Sequence, residues 1–286
     1  MYFVIALGQL IASGTHLIAK TLTQNIEPPV VLLFRVMIVC IVFALYFLFR
    51  GGKGIKKIDK EDYPLFLILG FVNIPVNQFL FLQSMEYTSA PNVSLAYSLT
   101  PAFVFIIAFF FMKERTSYKK IIGIILAIAG TIIVLAERKF DFNSDSFFGD
   151  ILALMAAMSW AVYTVLGKKI TMKYGAIYST FVSMFIGFIM YLPIFALLPE
   201  KIELEKFTTV NWLQIFYLGA ITSGVGYATW YWVLGKMDAS KVSVFNNFQP
   251  ILTALMTFLL FGDVVSMYFV VGGILVLAGV YLTQRG

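Results

Sequence analysis

One cysteine and one histidine in 286 residues leave little of the usual chemistry of cofactors and nucleophiles. Cys40 alone cannot close an internal disulfide, and with His16 as the only imidazole there is no Cys/His set to hold zinc. No HExxH stretch, no paired aspartates and no Walker sequence occur. Metal-dependent hydrolysis, nucleophilic catalysis and direct ATP hydrolysis therefore lack their residues. The expectation is a protein that is not an enzyme, with no cofactor and no metal site. Charge is also scarce: 13% of residues are charged, against about a quarter in soluble domains.

What is abundant is apolar surface. Hydrophobic residues make up 60% of the chain, with 29 Phe and 15 Tyr. The hydrophobic runs reach the roughly 20 residues needed to cross a bilayer as helix. Ten such spans are read near 2–22, 29–49, 64–84, 91–112, 118–136, 148–167, 177–198, 211–234, 240–261 and 266–283. The connections are short, so no soluble Rossmann, P-loop or nuclease unit fits between them. The expected fold is an all-α polytopic membrane protein with ten transmembrane helices. The N-terminus lacks the basic region of a signal peptide, and the first helix is expected to stay as an anchor.

The net charge of +6 is explained by its placement, and nucleic acid is not an expected partner. With the N-terminus inside, the inner loops collect Arg50, Lys53, Lys56, Lys57 and Lys60, then Lys113, Arg115, Lys119 and Lys120, then Lys168, Lys169 and Lys173, then Lys236, Lys241 and Arg285. The outer loops hold Glu200, Glu203, Glu205, Asp141, Asp145 and Asp150 among fewer cations. The positive-inside rule then places both termini in the cytoplasm and the chain in the cell (inner) membrane. The lipid bilayer and a small-molecule substrate are the expected partners; no oligomeric state is legible.

The chain also repeats itself. Gly70, Ala90, Val93, Ser94, Pro101, Gly123, Gly130 and Glu114 are answered 149 residues later by Gly219, Ala239, Val242, Ser243, Pro250, Gly272, Gly279 and Asp263. Five spans per copy is an odd number, so the second copy enters the membrane from the opposite side. The predicted organisation is a first repeat over 1–136, an external linker over 137–147 and an inverted second repeat over 148–286. Inverted repeats are a common build of secondary transporters.

The segments SLAYSLTPAFVFIIAFFFMKER and SVFNNFQPILTALMTFLLFGD, each followed by a GxxLxxxG-like run (GIILAIAG and GGILVLAG), resemble the EamA repeat, as does LLFR at Leu32–Arg35. Taken together, the chain resembles a ten-helix member of the drug/metabolite transporter superfamily. The resemblance implies alternating access by two five-helix bundles around a cavity between helices 1, 3, 4, 6, 8 and 9. It implies no single substrate.

Polar residues inside spans point to that cavity, because each costs free energy unless it faces protein, water or solute. Gln9, Ser13, His16 and Lys20 stack on one face of helix 1. His16 could titrate near neutral pH, although the scarcity of partners favours a neutral histidine bonded to a neighbouring helix. Helix 3 offers Asn73 and Asn77 on one face, with Gln78 beside them. Helix 4 offers Ser94, Tyr97 and Ser98, and helix 9 offers Asn246 and Asn247 in their place. Helix 8 supplies Tyr227, Trp230 and Tyr231; helix 6 supplies Trp160 and Tyr163. Pro101 and Pro250 mark mid-span bends, read either as hinges or as fixed architecture. Gly123, Gly130, Gly272 and Gly279 suit close helix packing. Arg35 could hold a carboxylate, but a structural role is preferred for it.

No Asp or Glu falls in the middle of a span. That argues against proton-coupled drug antiport at a buried carboxylate. The expected activity is passage, in the export direction, of small amphipathic metabolites such as amino acids or similar zwitterionic or neutral solutes. A multidrug or organic-cation efflux carrier, or a channel- or receptor-like membrane protein, is the alternative.

Overall fold

The computed structural model describes residues 1–114, 116–136, 144–261 and 267–286. Among them ten helical spans follow one another: α1 (Tyr2–Thr23), α2 (Pro28–Phe49), α3 (63–87), α4 (90–112), α5 (Tyr118–Ala136), α6 (Ser144–Tyr174), α7 (Ala176–Leu197), α8 (209–234), α9 (239–261) and α10 (Met267–Gln284). No strand is present among the described residues. Six of the helices are long and apolar enough to cross a membrane by length and composition.

Helix boundaries follow local chemistry. Pro28 and Pro29 open α2, where a missing N–H costs nothing. Thr208 and Asn211 form a reciprocal capping box at the start of α8. Gly175, at a φ of 88°, turns the chain between α6 and α7 in a conformation that a side chain would strain. The surface inverts the soluble pattern: Phe110, Phe111 and Ile125 are exposed, while Asn73, Ser98, Thr131, Ser223 and Asn247 are buried. Such a surface suits lipid, with polar groups satisfied inside the bundle.

The two halves meet about a pseudo-two-fold axis. A Cβ on Gly123 of α5 would lie 2.6 Å from the Gly279 carbonyl oxygen of α10, and one on Gly130 would lie 2.6 Å from that of Gly272. Gly123 and Gly272 are equivalent, as are Gly130 and Gly279. Each residue of one repeat thus touches the counterpart of the other's partner, the signature of a two-fold contact. The same exchange joins α3 to α7 and α8 to α2. A Cβ on Gly70 would stand 2.9 Å from the Gly187 nitrogen, and one on its echo Gly219 would stand 2.7 Å from the Arg35 carbonyl. With five helices per half, this symmetry makes the repeats inverted.

Four segments depart from regular α-helix, in two matching pairs. α3 contains a π-helical stretch at Val72–Gln78, and α8 contains one at Tyr217–Gly226. α4 breaks at Leu99, one residue before Thr100 restarts the helix. α9 tightens to 3-10 geometry over Val244–Asn247. Pro101 and Pro250 therefore sit just past the irregular segments, in the first turn of the helix that resumes.

α6 corrects the sequence reading most. It spans 31 residues, about 46 Å at 1.5 Å per residue, and begins at Ser144 inside the segment assigned to an external linker. The rest of that linker, 137–143, lies outside the described residues, as do Arg115 and Asp263. α6 also continues beyond Gly167, so that Lys173 pairs with Asp59 at 2.7 Å and with Asp62. The Tyr174 hydroxyl donates to Asp62 at 2.8 Å.

Candidate functional site

Between the halves lies a cavity of about 100 Å³, well below the ~300–1,000 Å³ of drug-sized sites. Its walls come from α1, α2, α3, α4, α6, α8 and α9. α2 is the addition to the set of helices that the family resemblance implied.

Of the residues singled out from sequence, Gln9, His16, Asn77, Gln78, Tyr97, Tyr227, Trp230 and Asn246 line this space. His16 Nε2 lies 3.1 Å from Gln249 Oε1. The His16 ring meets Phe81 and Tyr97 edge-on at 5.4 and 5.7 Å. Gln249 Nε2 in turn donates to Gln9 Oε1 at 3.0 Å. Asn77 Nδ2 donates to the Tyr97 hydroxyl at 3.0 Å and to the Ala156 carbonyl at 2.7 Å. Trp230 Nε1 donates to Thr164 Oγ1 at 3.1 Å. These bonds hold each ring and amide in one orientation.

The remaining candidates do not line the cavity. Ser13 donates to its own helix at Gln9 O, 2.8 Å away, and lies 3.3 Å from Gln249 O. Asn73 turns to Met184 Sδ at 3.3 Å. Ser98 donates to Leu95 O at 2.6 Å, and Ser94 is buried elsewhere. Asn247 accepts from Thr131 Oγ1 at 3.0 Å. Tyr163 pairs with Ser183 at 3.0 Å and stacks on Tyr231 at 4.9 Å. Lys20, from the same helical face as His16, donates to the carbonyls of Met85 (2.6 Å) and Thr88 (3.0 Å), where it satisfies the end of α3.

Four further residues belong to the lining. Trp160, read from sequence together with Tyr163, stands in the wall without it, 4.9 Å from Tyr227 and 5.6 Å from Trp230. Gln249 and Thr222 join the polar side. Arg35 is the fourth: it lines the cavity at 2% exposure, with Nε donating to Ser223 Oγ at 2.9 Å. Its position as a cation in mid-span was the available signal.

Both ends of the bundle are tied across or beside the repeat boundary. On the Met1 side, Glu114 accepts from Ala239 N at 2.7 Å and Ser240 Oγ at 2.6 Å, at the head of α9. Lys168 and Lys120 approach the same carboxylate at 3.5 and 3.7 Å. On the opposite side, Asp150 accepts from Thr88 Oγ1 at 2.7 Å and Asn92 Nδ2 at 3.1 Å.

An all-α bundle of inverted halves around a small cavity, largely apolar with a few polar groups, belongs to the class of membrane transporters built on inverted repeats. More particularly, the model of the EamA-like transporter family matches residues 1–136 and 147–285, and the chain belongs to that family. Two proteins of Archaeoglobus fulgidus, each named Uncharacterized transporter, are similar to it. One is 25% identical over 99% of this chain and 96% of its own length; the other is 31% identical over 80% of each. Uncharacterized transporter YyaM of Bacillus subtilis is 26% identical over 99% of this chain and 93% of its own. A solved crystal structure superposes on 100% of the chain and 97% of its own length, with a TM-score of 0.79 at 18% identity, a likeness of fold.

Proposed function

We propose that this membrane transporter carries small amphipathic metabolites, amino acids or solutes of similar size, by alternating access of its two halves to the central cavity. The carrying observation is the pairing of walls: amides and His16 on α1, α3 and α9 face Trp160, Tyr227 and Trp230 on α6 and α8. One side offers hydrogen bonds and the other an apolar, π-rich surface, which suits a solute with a polar head and an apolar body. A cavity of about 100 Å³ favours a metabolite over a bulky drug.

The inverted symmetry supports alternating access, since two equivalent halves can exchange shapes around one site. The irregular segments before Pro101 and Pro250 are the proposed bending points. The proposed units are the repeats 1–136 and 148–286. Both termini are assigned to the cytoplasmic side of the cell membrane on the placement of basic loops. Export is the proposed direction, on the family resemblance.

The test is counterflow in proteoliposomes preloaded with individual amino acids, organic cations or sugars. Saturable exchange of an amphipathic metabolite is expected. Unsaturable flux would indicate a channel, and no flux by folded protein for any solute would end the carrier reading.

A further inference from the structure

Within the cavity four buried polar atoms are left without a hydrogen-bond partner among the described residues: Arg35 Nη1, Asn246 Nδ2, His16 Nδ1 and Gln78 Oε1. Buried groups of this kind are ordinarily satisfied, and each orphan calls for an explanation. The first two can only donate. The other two accept: His16 Nε2 faces the Gln249 carbonyl oxygen and so carries the proton of the neutral ring, which leaves Nδ1 a lone pair, and Gln78 Oε1 is a carbonyl oxygen, so the site can also hold a donor such as an α-ammonium group. All four side chains are at least nine-tenths buried, at 2%, 1%, 3% and 1% exposure, and all line the same space.

The charge balance points the same way. Arg35 is the one Lys, Arg, Asp or Glu among the residues lining the cavity. Its Nε bond to Ser223 fixes the guanidinium but leaves the charge unneutralised, because a hydroxyl carries none. An unpaired buried cation is costly, whereas a paired and bonded one is tolerated. The matching joint of the other half holds no cation: Met184, 149 residues on, occupies the equivalent place on α7 and meets Asn73 at 3.3 Å. One half fills this joint with a thioether, the other with a guanidinium.

Resting on the carrier reading above, we infer that the transported solute bears a carboxylate, and that Arg35 Nη1 receives it, with Asn246 as a second donor. The aromatic wall of Trp160, Tyr227 and Trp230 takes the apolar body. The substrate class is thus a small organic acid with an aromatic or branched body, with or without an α-ammonium group. Organic cations are disfavoured by like charge at Arg35.

Ligand-dependent thermal unfolding of the detergent-solubilised protein tests this without requiring transport. Two pairs of probes at millimolar concentration are compared: 3-phenylpropanoate with 3-phenylpropanamide, and phenylalanine with phenylalaninamide. The acid of at least one pair is expected to raise the unfolding midpoint more than its amide. Arg35→Met, which copies the residue of the other half, is expected to fold, to weaken the acid's apparent affinity roughly ten- to hundredfold and to leave any amide effect unchanged. Amides that match their acids in both pairs, or no shift by either acid, overturn the inference. So does an Arg35→Met protein that folds and still prefers the acid as the parent does. Transport of neutral or cationic solutes with no acid preference would sink the carboxylate assignment while sparing the carrier; absence of all flux alongside acid-selective stabilisation would do the reverse.

Discussion

Gly279 of α10 packs directly on Gly123 of α5: a Cβ on Gly279 would lie 2.5 Å from the Gly123 carbonyl oxygen and 2.5 Å from the Ala127 nitrogen. Both obstacles are backbone, so no side-chain rotation relieves them. Gly273, six residues earlier on α10, has nothing within 4 Å of its own Cβ position. Gly279→Leu is therefore expected to destabilise the fold by about 1–3 kcal/mol or more through overpacking, whereas Gly273→Ala is expected to be neutral or slightly stabilising. Thermal unfolding of the two variants decides it; equal midpoints would show that the α5–α10 contact is not a close one.

Glu114 gathers the head of α9 and two lysines at one end of the bundle. Replacing it by Gln removes the charge from a group that is 9% exposed while Lys168 and Lys120 remain. The expected loss is about 1–3 kcal/mol. Lys206→Ala, which breaks the exposed Lys206–Glu203 pair of 2.9 Å, is expected to leave stability nearly unchanged, because solvent screens an exposed pair. Unfolding midpoints measured side by side give the contrast, and a Glu114→Gln loss no larger than that of Lys206→Ala would remove Glu114 from the role of tie.

The spans and the inverted repeat were legible because each rests on a long, redundant signal: runs of apolar residues, loop charge, and an echo at constant displacement. What the sequence hid was local pitch. Asn73 and Asn77 share a face on a regular helix, yet the π-helical stretch at Val72–Gln78 leaves Asn77 on the cavity and sends Asn73 to Met184. On α9 the 3-10 segment has three residues per turn, which accords with Asn246 and Gln249 reaching the cavity together while Asn247 turns to Thr131. Neither change of pitch has a periodic signature. α6 was read as ending at Gly167 because lysines follow, but a helix can leave the membrane without stopping, and Lys173 and Tyr174 find Asp62 beyond it.

Trp160 and Tyr163 separate wall from support. Trp160→Ala removes a ring that lines the cavity, and binding of an aromatic solute is expected to weaken by about 0.5–1.5 kcal/mol beyond the lost area. Tyr163→Phe alters a hydroxyl bonded to Ser183 outside the cavity and is expected to change stability without changing affinity. Titration of ligand against intrinsic tryptophan emission measures both; a larger affinity loss in the Tyr163 variant would relocate the wall.

His16 is held between Gln249, Phe81 and Tyr97, and no carboxylate lines the cavity to exchange a proton with it. His16→Gln is expected to lower affinity yet keep whatever response to an imposed pH gradient the parent shows. Uptake into proteoliposomes with and without the gradient is the measurement. Abolition of that response alone would make His16 the proton carrier.

Gly8 lines the cavity, and a Cβ there would meet nothing within 4 Å. Cys40 is the chain's one cysteine and is buried, so a Cys40→Ala background carrying Gly8→Cys reports on a single thiol. A membrane-impermeant thiol reagent is expected to label it from one side only, and saturating substrate is expected to slow that labelling. Labelling that ignores substrate would place the transport path elsewhere.

The contrast between Arg35 and Met184 also gives the cavity a direction. Two identical halves could offer a ligand only mirrored pairs of groups, and a solute could then lie either way round. With a guanidinium on α2 and a thioether at the matching point of α7, an acid bound as proposed would keep one heading throughout an alternating-access cycle. A symmetric diacid would gain no second anchor at the other end, so on the carboxylate proposal the same asymmetry that orients a monoacid would also select against its dicarboxylate relatives.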